Sequence, residues 1–275
     1  MMNPLKGLLF LLLIGFPTVQ AAPDLHTEEV IYSANLKDLH GYLAYDPAIE
    51  GKRPGVLVVH EWWGLNEYVR QRSRQLAELG YVALAVDMYG EGKVAKTPEE
   101  ATRLSQGVNE MLPGTFGARF FSALNFLRSQ PNVNPERIAA IGYCFGGGIA
   151  LEMARGGLNL EGVVSFHGSL PTENPPPKGG VPAAVLVLHG ESDRFVSEEQ
   201  LANFKRQMEA ANADFRIITY PGAEHGFTNP EADKYAEKFN LDIAYSEKAD
   251  KQSWQDMKAF LERIFMQRKK VGLLR

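Results

Sequence analysis

Short runs of consecutive apolar residues alternate along this chain with segments of helical periodicity. The clearest run covers residues 56–60, and a helical pattern follows it at residues 66–79. A strand that is apolar at successive positions is buried on both faces, which is typical of a parallel sheet covered by helices. We therefore predict an α/β protein with a mostly parallel central sheet and helices on both faces. The other strands of this kind are predicted at residues 81–86, 137–143, 162–166, 184–189 and 215–220.

The remaining elements are predicted from turn and capping signals. An antiparallel strand pair is expected at residues 30–36 and 40–45, with its turn near Lys37 and Asp38. Asn66 is expected to cap the first helix at its N-terminus, and Gly80 to end it. The other helices are predicted at residues 98–110, 117–130, 145–154, 198–211 and 252–268, with Lys269 and Lys270 just beyond the last one.

The N-terminus has the features of a secretory signal peptide. Lys6 precedes an apolar run of about ten residues, and the small residues Ala21 and Ala22 follow it. The run is shorter than the roughly 20 residues that a membrane span needs; the alternative is an uncleaved N-terminal anchor. We expect residues 1–21 to be removed, which leaves residues 22–275 as a single domain. The mature protein is then periplasmic or secreted, without a membrane span.

The composition excludes several classes of protein. Hydrophobic residues make up 45% of the chain and charged residues 23%, which argues against a disordered chain. The net charge of -4 gives no reason to expect nucleic-acid binding. A single cysteine rules out an intramolecular disulfide, and the six histidines show no metal-ligand spacing. We expect no metal and no cofactor, and the sequence assigns no oligomeric state.

The single cysteine lies in a nucleophile-elbow pattern. Gly142, Cys144 and Gly146 form Gly-x-Cys-x-Gly between a predicted strand and a predicted helix. Such an elbow is a sharp turn that exposes the nucleophile, and its glycines avoid Cβ clashes with neighbouring backbone. The positive end of the following helix stabilises a thiolate. The alternative is a buried structural cysteine.

Candidate partners for Cys144 follow it in the order acid, then histidine. Asp193 comes after the strand at 184–189, and His225 after the strand at 215–220. In this arrangement the acid orients the histidine, which exchanges protons with the nucleophile and the leaving group. Asp193 could instead cap the helix near Ser197, and His225 could be an exposed turn residue. Rival acids are Asp87, Glu191 and Glu224; rival bases are His60, His167 and His189.

The loop after the first buried strand is the expected place for oxyanion-binding donors. The backbone N–H groups of Trp62 and Phe145 are the candidates, because together they would hold a developing negative charge on a carbonyl oxygen. Glu61 directly precedes Trp62 in the sequence. A carboxylate there would repel the oxyanion, so the useful role for Glu61 is to accept the thiol proton; the alternative is a solvated loop acid.

Several motifs together resemble the dienelactone hydrolase family. They are His60–Asn66 (HEWWGLN), Asp87–Tyr89 (DMY), Gly142–Gly147 (GYCFGG), Asp193 and Glu224–Phe227 (EHGF), and they span nearly the whole mature chain. The resemblance implies an α/β-hydrolase fold with a catalytic triad of Cys144, His225 and Asp193. It also implies that Glu61 holds the resting thiol and takes its proton when substrate binds. The thiolate would then attack an ester or lactone, and water would release the acyl-enzyme.

One position departs from the family pattern. Members that cleave dienelactone are expected to bind the substrate carboxylate with arginines, one of them four residues after the catalytic histidine. Asn229 occupies that position here, and an amide does not replace the bidentate geometry of arginine. The candidates for substrate binding are Trp63, Tyr89 and Arg103. We expect a small-molecule ester or lactone other than dienelactone as the natural substrate.

The predicted function is that of a metal-independent carboxylic-ester or lactone hydrolase. Two alternatives remain open on the sequence. The same triad could serve a thioesterase or an acyl transferase, or the fold could be kept by a catalytically silent binding protein. A thiol redox role is weaker, because no second cysteine exists to resolve an oxidised intermediate.

Overall fold

Eight strands form one sheet in the order β1-β2-β4-β3-β5-β6-β7-β8. The computed structural model describes residues 23–110 and 115–272. The first two strands pair antiparallel, β2 joins β4 antiparallel, and the strands from β4 to β8 are parallel. The strands are β1 (His26–Ala34), β2 (Lys37–Tyr45), β3 (Arg53–Val59), β4 (Val82–Val86), β5 (Val133–Tyr143), β6 (Gly162–Phe166), β7 (Ala184–Gly190) and β8 (Phe215–Tyr220).

Helices cover both faces of the sheet. Apolar side chains of α1 and α7 pack on one face, and those of α3, α4 and α5 pack on the other. This burial explains why the central strands are apolar at successive positions, since β4 and β6 are buried along their full length. The α/β prediction is confirmed. The helices are α1 (Glu67–Glu78), α2 (Pro98–Glu110), α3 (Thr115–Ser129), α4 (Phe145–Arg155), α5 (Glu198–Ala210), α6 (Ala232–Phe239) and α7 (Glu247–Gly272).

The first hairpin turns two residues earlier than predicted. Ala34 pairs with Lys37, so the turn consists of Asn35 and Leu36 and not of Lys37 and Asp38. Both turn residues have positive φ angles, 51° and 63°. Asn tolerates this conformation, but leucine does not favour it. The sequence prediction missed the turn because Leu36 carries no turn signal.

Two other elements differ from the predictions. Helix α6 was not predicted, and α7 starts at Glu247 and continues through positions 269 and 270, which were expected to lie beyond it. Asn66 is the N-cap residue of α1, but its side chain makes no capping hydrogen bond.

The predicted signal peptide, residues 1–21, lies outside the described residues. In the described ranges, no helix is both long and apolar enough to cross a membrane.

Candidate active site

The nucleophile elbow lies where β5 ends and α4 begins. Cys144 has φ 52° and ψ -116°, a conformation that non-glycine residues rarely adopt and that costs on the order of 1–3 kcal/mol. A Cβ atom on Gly142 would overlap the backbone of Gly146, and one on Gly146 would overlap the carbonyl of Val59. Gly142 is therefore required for the sharpness of the turn, and Gly146 for its close approach to the end of β3.

The parallel strands bring Cys144, His225 and Asp193 together. His225 Nε2 lies 3.0 Å from Cys144 Sγ, and His225 Nδ1 donates to Asp193 Oδ2 over 2.9 Å. Asp193 and His225 are buried. Burial opposes a positive charge on His225, but its interactions with Cys144 and Asp193 outweigh this effect and raise the pKa of His225 to about 10. The two contacts of the ring therefore favour its protonated form at neutral pH.

Asp193 does not cap α5, and the rival acid Asp87 has a different role. Helix α5 is capped by Ser197, whose hydroxyl accepts from the Gln200 N–H, while the second oxygen of Asp193 accepts from the Phe195 N–H. Asp87 accepts hydrogen bonds from the backbone of residues 40, 89, 90 and 92. Its carboxylate therefore holds loops in place at the end of β4.

Glu61 is buried beside the cysteine and bound by an amide. Asn229 Nδ2 donates to Glu61 Oε2 over 2.7 Å. Burial raises the pKa of Glu61 to about 7, although the Asn229 amide and the charges of His225 and Arg72 act in the opposite direction. In this arrangement the sulfur contacts His225, whereas the resemblance implied that Glu61 holds the resting thiol. Asn229 was not predicted as the partner of Glu61, because the sequence marks this position only by the absence of an arginine.

Two backbone donors accompany Cys144 in the cavity wall. Trp62 and Phe145 both line the cavity, and within the described residues neither backbone N–H donates a hydrogen bond to another group. The loop that carries Trp62 is held by His60, which bonds Glu61 O through Nδ1 and accepts from the Met88 N–H through Nε2. The two N–H groups are therefore available to a ligand atom next to the sulfur.

The cavity at Cys144 has a volume of about 360 Å³ and mostly apolar walls. Phe195 lies against the His225 ring, with 4.6 Å between ring centroids, and remains 56% exposed. Neither Phe195 nor the segment after α6 was identified from the sequence. The lining residues are Glu61, Trp62, Trp63, Ser105, Cys144, Phe145, Ser169, Phe195, His225, Gly226, Asn229, Ala232, Leu241 and Ile243.

The three predicted substrate-binding residues lie in different places. Trp63 lines the cavity and stacks on Tyr235 of α6 at 4.6 Å. Tyr89 is buried behind the wall, where its hydroxyl donates to the Trp62 carbonyl over 2.7 Å. Arg103 is exposed on α2 and lines a separate depression with Lys93, Val94, Lys96, Glu100 and Leu104.

A buried polar cluster supports the His225 loop. We call Arg72, Asp250, Thr228, Tyr68 and His167 the Arg72 cluster. Arg72 donates to Asp250 Oδ1 over 2.5 Å and to the Thr228 carbonyl over 2.6 Å. The Thr228 hydroxyl contacts Tyr68 at 2.6 Å and His167 at 2.7 Å. The cluster ties α1, α7 and the end of β6 to the loop that carries both His225 and Asn229.

The described residues contain no group of three or more His, Cys, Asp or Glu side chains arranged to hold a metal ion. The chemistry that the site offers is that of a nucleophile, a proton-transferring histidine and oxyanion donors around an apolar cavity. These are the parts needed to transfer an acyl group.

Known proteins resemble this chain in sequence or in structure. Protein usf of Aquifex pyrophilus is 27% identical over 226 residues, covering 78% of this chain and 96% of that protein. A Salmonella typhimurium protein provisionally named carboxymethylenebutenolidase is 29% identical over 251 residues, covering 85% of this chain and 88% of that protein. The structure of P91, a dienelactone hydrolase-like promiscuous phosphotriesterase from metagenomic libraries, has a TM-score of 0.82 with 32% identity, covering 87% of this chain and 98% of P91.

These similarities confirm the predicted α/β-hydrolase fold. The model of the dienelactone hydrolase family matches residues 39–265, a span that contains the elbow, Glu61, Asp193 and His225. The chain therefore belongs to the dienelactone hydrolase family.

Proposed function

We propose that this protein hydrolyses carboxylic esters or lactones by nucleophilic catalysis through Cys144. The observation that carries the proposal is the hydrogen-bonded series from Cys144 Sγ through His225 to Asp193, opening onto an apolar cavity. The thiolate attacks the substrate carbonyl carbon, and the carbonyl oxygen becomes an oxyanion. The Trp62 and Phe145 N–H groups then donate hydrogen bonds to that oxygen.

His225 completes both halves of the reaction. Its Nε2 proton passes to the leaving oxygen as the bond to the carbonyl carbon breaks, which leaves a thioester on Cys144. The neutral imidazole then takes a proton from water, whose oxygen attacks the thioester and releases the acid and the thiolate. Asp193 keeps Nδ1 protonated throughout, so that Nε2 is the atom that exchanges protons.

Glu61 is proposed to accept the thiol proton before the sulfur pairs with His225. A carboxyl group with a pKa of about 7 exchanges a proton readily at neutral pH. The Asn229 amide holds the Glu61 carboxyl in place when the sulfur is on His225.

The decisive measurement compares wild type with Cys144→Ala on p-nitrophenyl acetate and small lactones. We expect kcat/KM to fall at least about 10³-fold in Cys144→Ala, since loss of the nucleophile leaves only binding and oxyanion stabilisation. Mass spectrometry after rapid quenching should find one acyl group on Cys144 of the wild type. Equal rates for the two proteins would disprove the proposal, and ligand binding without turnover would favour a silent binding protein. Acyl transfer to an added alcohol or thiol in preference to water would favour the transferase alternative.

We also propose that the protein is exported and cleaved after Ala21, and that it acts in the periplasm or outside the cell. The proposal rests on Lys6, the apolar run after it and the small residues that follow. Intact-mass measurement of protein from the exported fraction should give a chain that begins at Ala22. A chain that still carries Met1 would refute cleavage.

A further inference from the structure

The charges around the cavity restrict which substrates can enter it. Among the described residues that line the cavity, the ionisable side chains are Glu61, Cys144 and His225. His225 is the one side chain of this lining set that can carry a positive charge, and its two ring nitrogens are already engaged, one by the Cys144 sulfur and the other by Asp193. A carboxylate on the substrate would therefore find no free positive side chain in the lining.

Cations near the cavity are engaged elsewhere. Arg72 is buried and bound to Asp250, and Arg119 donates to the Met88 carbonyl. Arg194 follows Asp193 directly, but its side chain is 80% exposed and pairs with Asp242 at 3.3 Å. Arg103 lines the separate depression on α2. None of these residues belongs to the lining set of the cavity.

The apolar wall continues on the side where the leaving group must lie. His225 has to reach the leaving oxygen, so the alcohol part of the substrate lies near this ring. Phe195 packs against the same ring and keeps more than half of its surface exposed. A charged group packed against this ring would lose part of its water and find no cation among the lining residues, which is unfavourable, whereas an apolar or aromatic group would bury surface against Phe195.

We infer that the natural substrate is an uncharged ester or lactone, with no carboxylate on the parts that enter the cavity, and that an apolar leaving group contacts Phe195. This inference rests on the proposed hydrolase function. It names the substrate class of the same site.

A matched pair of esters tests the inference. Methyl 4-acetoxybenzoate and the 4-acetoxybenzoate anion share the acetyl group and the aromatic ring. They differ in the group opposite the acetyl ester, which is a neutral methyl ester in one and a carboxylate in the other, and the phenol released from the acetyl ester is the product measured. Each kcat/KM is divided by the rate constant of hydroxide-catalysed hydrolysis, which corrects for intrinsic reactivity. We expect the wild type to prefer the neutral ester about 100-fold or more, because an unpaired carboxylate must be desolvated.

Single substitutions on α2 test the electrostatic origin of this preference. Ser105 lines the cavity, whereas Thr102 is exposed on the same helix and does not belong to the lining set. Ser105→Arg should reduce the preference about tenfold or more. The uncharged Ser105→Gln and the misplaced cation of Thr102→Arg should leave it unchanged, as should Arg103→Ala and Arg194→Ala.

Three results would overturn the inference. They are a carboxylate ester turned over within about threefold of the neutral one, an unchanged preference in Ser105→Arg, and a loss of activity on the anion in Arg103→Ala or Arg194→Ala. In each case Cys144-dependent turnover of the neutral ester would show that the proposed function still stands. If neither ester is hydrolysed through Cys144, the proposed function and the inference fall together.

Discussion

The backbone of Cys144 is strained, and its neighbours maintain the strain. A φ of 52° at a residue with a Cβ atom is unfavourable. The conformation is held by the Cys144 N–H, which donates to the Phe166 carbonyl over 3.0 Å, and by the Cys144 carbonyl, which accepts from Gly147. The β5–α4 connection therefore fixes the direction of the sulfur before any substrate binds.

Glu61 combines a proposed role in catalysis with a cost in stability. Its pKa is about 7 in the folded protein against an ordinary value of 4.5. The unfolded chain therefore ionises more readily, and this group lowers the free energy of unfolding progressively as the pH rises from about 4.5 to about 7. The full shift corresponds to about 3 kcal/mol, and this cost persists at higher pH.

Glu61→Gln should therefore stabilise the protein more at pH 8 than at pH 5, while slowing acylation. The difference between the two stability gains is expected to reach about 3 kcal/mol at most, measured by urea unfolding at both values. The acylation rate is followed in a single-turnover experiment. Glu237→Gln, at an exposed carboxylate on α6, is the control and should show no pH-dependent gain. A pH-independent effect of Glu61→Gln would show that burial does not perturb this carboxyl, and an unchanged acylation rate would remove its proposed role.

Side chains differ in how far the sequence alone could place them at the site. Cys144 could be placed because its glycines mark the elbow, and Asp193 and His225 because they follow strands in the expected order. Asn229 and Phe195 could not be placed, since their contacts with Glu61 and His225 depend on how loops fold back over the sheet. Local patterns identify the reacting atoms, but loop packing decides what surrounds them.

The elements around the site are joined by the Arg72 cluster. Arg72 on α1 donates hydrogen bonds both to Asp250 on α7 and to the Thr228 carbonyl, which lies in the loop that starts at His225. Removing one member of a buried ion pair is far more costly than removing a surface pair, because the remaining charge has no partner.

Arg72→Met should destabilise the protein by about 3–5 kcal/mol and lower kcat, since Asp250 would lose its charged partner and the Thr228 carbonyl its hydrogen bond. Urea unfolding and ester hydrolysis measure the two effects. Arg70→Met is the matched control on the same helix. Arg70 pairs with the exposed Glu29 at 2.7 Å, so its loss should cost less than about 1 kcal/mol. Adding Asp250→Asn to Arg72→Met should recover part of the stability, and equal losses for the two single arginine variants would contradict a structural role for the cluster.

Element boundaries followed the sequence where local signals were strong. Strands β6 and β8 and helix α2 match their predicted ranges, because apolar runs or an N-terminal proline mark them. Helix α6 was missed, since it is only eight residues long and its N-cap residue, Glu231, makes no side-chain capping hydrogen bond. Its importance comes from tertiary contacts, such as Tyr235 stacking on Trp63.

At the scale of the whole molecule, the strand order brings the site together. The ends of β3, β5, β6, β7 and β8 carry Glu61, Cys144, His167, Asp193 and His225, and these five strands are successive neighbours in the sheet. The sequence predicted strands and their polar ends but not their neighbours, because hydrophobic patterning carries no information about which strands pair.

Part of the cavity wall comes from a segment of the chain that carries none of the reacting groups. Ala232, Leu241 and Ile243, on α6 and just after it, form one side of the cavity, whereas the nucleophile stands on the β5–α4 connection. A protein built this way can diverge in two independent ways. Substitutions in the 232–243 segment would change which substrates the cavity accepts, while Cys144, His225 and Asp193 stay unchanged. Directed evolution confined to that segment is therefore a direct route to new ester selectivity on an unaltered reaction centre.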